Sequence, residues 1–122
     1  MGVENNECVI ATTWDAKRVE RIRKWVNLLP EDQRSLFAII PSLNNHKQTI
    51  VLGPDGSKKG WGEAIRGEEL RDKFINELNR YDYGDGSNPF EFVEVGYGEY
   101  GQKVLRGNCI NKYGDSDYAE ER

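Results

Sequence analysis

Hydrophobic positions recur along this chain with two different periods, and the switches between them lay out its elements. Residues 7–14, ECVIATTW, are rich in β-branched side chains and free of glycine and proline, which predicts a strand. Asp15 stands where a helix N-cap belongs. Behind it Val19, Ile22, Val26 and Leu29 repeat at intervals of three and four, the apolar stripe of an amphipathic helix. The opposite face carries Lys17, Arg18, Arg21 and Lys24, with Glu20 four residues ahead of Lys24. Pro30 stops this helix, and PEDQR reads as a short helical turn. Segments 36–43 and 47–53 predict two strands joined as a hairpin by NNH, with a continued helix through Leu36, Phe37 and Ile40 as the competing reading. After a loop over 53–62, residues 68–81 set Leu70, Phe74, Leu78 and Tyr81 on one helical face. DYGDGSNP breaks that helix, and 90–97 and 102–108 read as two closing strands.

The order is thus β-α-β-β-α-β with one further strand. It predicts an α+β two-layer sandwich of the ferredoxin-like, split βαβ kind, with two helices on one face of a mainly antiparallel sheet. The additional C-terminal strand should pair with the fourth. Residues 1–113 are expected to form a single domain, and 114–122 an acidic flexible tail.

Charge sharpens the picture of partners. The formal net charge is −4. The last nine residues, GDSDYAEER, hold four acids against one arginine and so supply −3, which leaves the body near −1 with both signs interspersed. A body of that kind lacks the basic footprint of a nucleic-acid binder. No apolar run approaches the ~18 residues of a membrane span, and MGVENNEC has neither the basic nor the apolar region of a signal peptide. A cytoplasmic setting is the expectation. Two cysteines, Cys8 and Cys109, and the single His46 are too few for a zinc centre, so no metal and no cofactor is expected. The cysteines are expected to be reduced and half-buried.

Gly96, Gly98 and Gly101 spell G-x-G-x-x-G, the letters of a dinucleotide fingerprint. That fingerprint needs a strand before it and a helix after it, so that the helix N-terminus meets the pyrophosphate. Here a strand precedes and a strand follows. The three glycines are therefore expected to supply positive φ in a bulged hairpin turn. A second glycine-rich stretch, GPDGSKKGWG, lacks the residue order of a phosphate-binding loop, yet it brings Lys58, Lys59 and Trp61 together ahead of a helix. With Arg66, Arg106 and the amides of Gly98 and Gly101, these define an alternative reading: a nucleotide or other anionic small ligand. DYGDGSN offers glycines where a calcium loop needs side-chain oxygens. With one histidine there is no Ser-His-Asp set, and a small hydrolase working through carboxylates is the third reading.

The fourth strand is the unusual one. In FEFVEVGY, Phe90 and Phe92 point one way and Val93, Val95 and Tyr97 the other, whereas a sheet covered on one side should alternate apolar with polar. One side meets the helices, and the other must meet something else. Tyr97 and Tyr100, with Tyr113 further on, add the amphipathic aromatics enriched in binding patches. Phe92, Glu94, Tyr97 and Tyr100 are thus the expected partner-contact residues. In general character, compact, acidic and poor in motifs, the chain is similar to the small accessory proteins that phages and mobile elements direct at host machinery. The leading expectation is a non-enzymatic binding module that blocks or modulates a protein partner, or self-associates, through the last hairpin.

Overall fold

The structure is a computed structural model that describes residues 3–59, 62–80 and 85–109. In chain order they form β1 (Val3–Thr13), α1 (Ala16–Asn27), α2 (Glu31–Arg34), β2 (Phe37–Pro41), β3 (Gln48–Leu52), β4 (Lys58–Lys59), α3 (Gly62–Arg80), β5 (Glu91–Gly98) and β6 (Gly101–Gly107). Five strands make an antiparallel sheet in the order β2-β3-β1-β5-β6, and the two-residue β4 pairs with the start of β1. This is an α+β fold with three helices. The third helix is the short α2, which occupies the predicted turn after Pro30. Residues 37–41 are strand, so the helical alternative for that segment does not hold.

Local chemistry explains most of the boundaries. Asp15 caps α1: its Oδ1 accepts from the backbone amides of Lys17 at 3.1 Å and Arg18 at 3.3 Å. Helix α3 begins six residues ahead of the predicted 68. Two glycines, Gly62 and Gly67, hid its first turns from a propensity argument. Gly67 has a packing reason, because a Cβ there would run into the Asp55 carboxylate.

The core lies between α1, α3 and one face of the sheet. Alternation sends Val9 and Ala11 of β1, Ile50 and Leu52 of β3, and Phe92 of β5 to that face, where they meet Ile22, Val26, Leu70, Phe74, Ile75 and Leu78. Of the predicted stripes, Val19, Ile22, Val26, Leu70, Phe74 and Leu78 are buried, and Leu29 packs half-buried against them. Phe74 stacks on Trp25 at a centroid distance of 6.1 Å and meets Phe37 edge-on at 5.1 Å. The predicted Tyr81 and the 114–122 tail lie outside the described residues.

Candidate binding surface

Register fixes which side chains share the other face of the sheet, the one away from the helices. Strand β1 pairs Ile10 with Val51 on one side and Val93 on the other, and it pairs Cys8 with Val95. On β2, Ala38 stands opposite Val51 and Ile40 opposite Thr49; on β6, Val104 stands opposite Val95 and Gln102 opposite Tyr97. The middle of this open face is therefore Ala38, Val51, Ile10, Val93, Val95 and Val104, with the buried Cys8 between Ile10 and Asn6 on β1. Ile10 at 36% and Val104 at 68% of full exposure are exposed, as is the neighbouring Ile40 at 51%, while Val51, Val93 and Val95 are half-buried. Its two threonines, Thr12 and Thr49, are opposite one another and share a hydrogen bond of 2.9 Å. Between the Asn6 and Thr12 rows Glu91 is the one charged residue on the face, in the end row with Thr12; beyond Asn6 the next register position of β1 on that side is Glu4, paired with Lys58 of β4.

A β-bulge makes this face possible. The pairing of β5 with β6 shifts between Glu94 and Val95, so that Glu94 faces Arg106 and Val95 faces Val104 with Leu105 unpaired between them. Without that extra residue Val104 and Arg106 would project from the same side. With it, Val104 joins the open face and Arg106 turns to the helix side. Gly96 accommodates the displaced residue, since a Cβ built there would sit 3.5 Å from Leu105 Cδ1.

On the helix side Arg106 enters a charge network. Its Nε donates to Glu94 Oε1 at 2.6 Å, and its guanidinium lies 2.8 Å from Asp72 Oδ1 of α3. Arg71, also from α3, bridges Glu94 at 3.3 Å and Glu7 at 2.8 Å. Glu94 is 3% exposed, so this carboxylate is buried but held by two guanidiniums. The hydrogen bond from Arg106 to Glu94 is the main cause that raises the Arg106 pKa, which leaves it charged at every relevant pH. An open cleft of about 220 Å³ beside the network is lined by Glu7, Glu68, Arg71, Asp72, Glu94 and Arg106. Four carboxylates against two guanidiniums give it a net −2, a poor place for a phosphate.

The residues singled out in the sequence divide between these two sides. Tyr97 and Tyr100 are exposed, Tyr97 on the open face and Tyr100 at the tip of the β5–β6 hairpin. Phe92 and Glu94 are corrected: at 5% and 3% exposure they lie under α3, because their register partners Ala11 and Val9 are core positions of β1. On β5 the open face carries Val93 and Val95 instead. Periodicity in the sequence placed those two valines opposite Phe92, but it left open which set the helices cover.

Of the proposed anion-binding residues, those whose side chains are described do not converge. Arg66 pairs with Asp32 of α2 at 3.1 Å, while Arg106 is committed to Glu94 and Asp72. Gly98 and Gly101 pair with each other at the hairpin end, and positive φ occurs at Gly101 (105°). Gly96 and Gly98 are ordinary strand positions, which corrects the expectation of three positive-φ glycines. Lys58 and Lys59 form β4, their side chains are not described, and Trp61 and Tyr113 lie outside the described residues.

Both cysteines are free, Cys8 buried and Cys109 exposed. Burial first, then the Glu94 charge, pushes the Cys8 thiol above its ordinary value, with Arg71 opposing. Among the described residues, no group of three or more histidines, cysteines or carboxylates is placed to hold a metal, and no helix is long and apolar enough to cross a membrane. The chain matches no protein-family model, no curated protein and no solved structure.

Proposed function

We propose that this chain is a protein-binding module whose working surface is the open face of its sheet. The observation that carries the reading is the row of apolar residues across all five strands, with Ile40, Ile10 and Val104 exposed and Val51, Val93 and Val95 half-buried between them, and with no lysine or arginine at a described register position between the Asn6 and Thr12 rows. Isolated exposed apolar residues are ordinary, but a contiguous patch bordered by polar positions marks an interaction site. Asn6, Tyr97 and Gln102 form one polar border and Glu91 the other. A nucleic acid would need cations there, and a small anionic ligand would need a concave cationic pocket. The role expected of such a module is to block or modulate the protein it covers. We also read the architecture as ferredoxin-like. What supports this is the strand order β2-β3-β1-β5, with β6 appended beyond β5 and with α1 and α3 as the two crossovers.

The reading is tested by photo-cross-linking in a cell lysate. A benzophenone side chain at position 104 or 40 should capture protein, whereas the same group at the exposed position 24 on α1 should not. Equal capture from all three positions, or none from 104 and 40, would remove the open face as the working surface.

A further inference from the structure

From the same face we infer that its occupant is a second copy of this chain, packed sheet against sheet as an isologous dimer. The inference rests on the open-face reading and names its partner. Three features select a copy over other proteins. The first is chemistry: the centre of the face is Val, Ile and Ala, and its two threonines, Thr12 and Thr49, already satisfy one another at 2.9 Å. Drying it therefore strands no central polar group, and what fits is another flat, uncharged, β-branched surface, which is a description of the face itself.

The second feature is charge. The body of the chain is near −1 once the four acids and one arginine of the last nine residues are set aside, so two bodies approach with little repulsion. Between the Asn6 and Thr12 rows Glu91 is the one carboxylate on the face, and it stands in an end row. A two-fold axis lying in the interface and crossing the strands sets the Glu91 row over the Asn6–Tyr97–Gln102 row of the second copy. The carboxylate then meets neutral hydrogen-bond donors and not its own image.

The third feature is area. Five strands spaced ~4.8 Å apart, over the span of β1 from Asn6 to Thr12 at ~3.4 Å per residue, make a face of roughly 500 Å². Two faces bury about 1,000 Å², the low end for a specific interface, which sets the expectation of a reversible dimer in the micromolar range. Sheets packed in this way lie ~10 Å apart with their strands within ~30° of alignment.

Sedimentation of the full chain across ~1 μM to ~1 mM tests the inference. The expected result is a monomer–dimer equilibrium that holds or tightens as sodium chloride is raised, because the contact is apolar and not ionic. Val104→Glu and Ile40→Glu, at opposite edges of the face, should each weaken dimerisation at least ~tenfold. In the parent protein, methyl resonances of Ile10, Val51 and Val93 should move with concentration while those of Ile22 and Ile50 stay fixed, a readout that needs no variant. A parent that stays monomeric throughout overturns the dimer, as does a dimer whose concentration-dependent shifts fall on other residues. A monomer that still cross-links a different protein from position 104 overturns the second copy alone and leaves the open face standing. A monomer with no cross-link from that face removes both.

Discussion

Arg71 is where a single side chain has the most to lose. Its guanidinium is buried beneath α3 between Glu7 and Glu94, and Glu94 is itself buried. Removing one member of such a set leaves an uncompensated charge out of water, a loss of about 3–5 kcal/mol when the pair is well buried. Arg71→Ala should therefore fall at or above ~3 kcal/mol in urea denaturation. Arg106→Ala should cost less, because that side chain is largely open to water and its bond to Asp72 is solvated. If Arg71→Ala costs under ~1 kcal/mol, Arg106 alone satisfies Glu94 and the network is redundant. None of this was legible in the sequence, where Glu94 reads as the polar residue between two valines of an exposed hairpin. The glycines teach a related lesson. Their letters suggested three special backbone positions, but φ is decided by the turn, and the turn asks for a left-handed residue at Gly101. Gly101→Ala should cost ~1 kcal/mol in thermal or urea unfolding, and Gly98→Ala less.

At the scale of elements, periodicity carried most of the information. The stripes of α1 and α3 and the alternation in β1 and β3 are products of burial on one side, so the sequence had to write them. Helix ends are set by finer chemistry, and they were legible only where a side chain states it. Asp15 does so through its two amide contacts, and Asp15→Ala should cost about 1 kcal/mol. The start of α3 was illegible because Gly62 and Gly67 stand in its first turns, where propensity argues against a helix. Phe74 ties the elements together: it stacks on Trp25 of α1 and meets Phe37 of β2 edge-on, with no exposure of its own. Phe74→Ala should cost ~3–5 kcal/mol by loss of transfer energy and an unfilled cavity. A loss under ~1 kcal/mol would mean that the three rings close over the gap.

For the whole molecule, the decisive property is that the helices pack on one side of the sheet and leave apolar positions on the other. The sequence showed apolar residues on both sides of β5 but not which side the helices cover, because that choice is made by register with β1, a pairing between residues some eighty positions apart. Cys8 and Cys109 offer a way to measure the integrity of the packing on the open face. Cys8 lies in the central strand β1, opposite Val95, where burial both shields the sulfur and raises its pKa. Cys109 follows β6 and is exposed. A disulfide reagent at about pH 8 should therefore modify one thiol per chain at once, at the rate of a free cysteine. The second, buried among its neighbours on the face of the sheet, should react only when the packing around it opens, at a rate that climbs with urea. The direction of the pKa shift adds a second check. A folded-state value above the ordinary 9.0 favours the neutral thiol. Its contribution to stability is full below that pH and is lost as pH rises through it, so the decline in stability above about pH 9 should be smaller in Cys8→Ala than in the parent. Two thiols that react equally fast in the folded protein would show that the packing around Cys8 on that face opens without unfolding. The open face could not then be the rigid, pre-formed surface that docking requires.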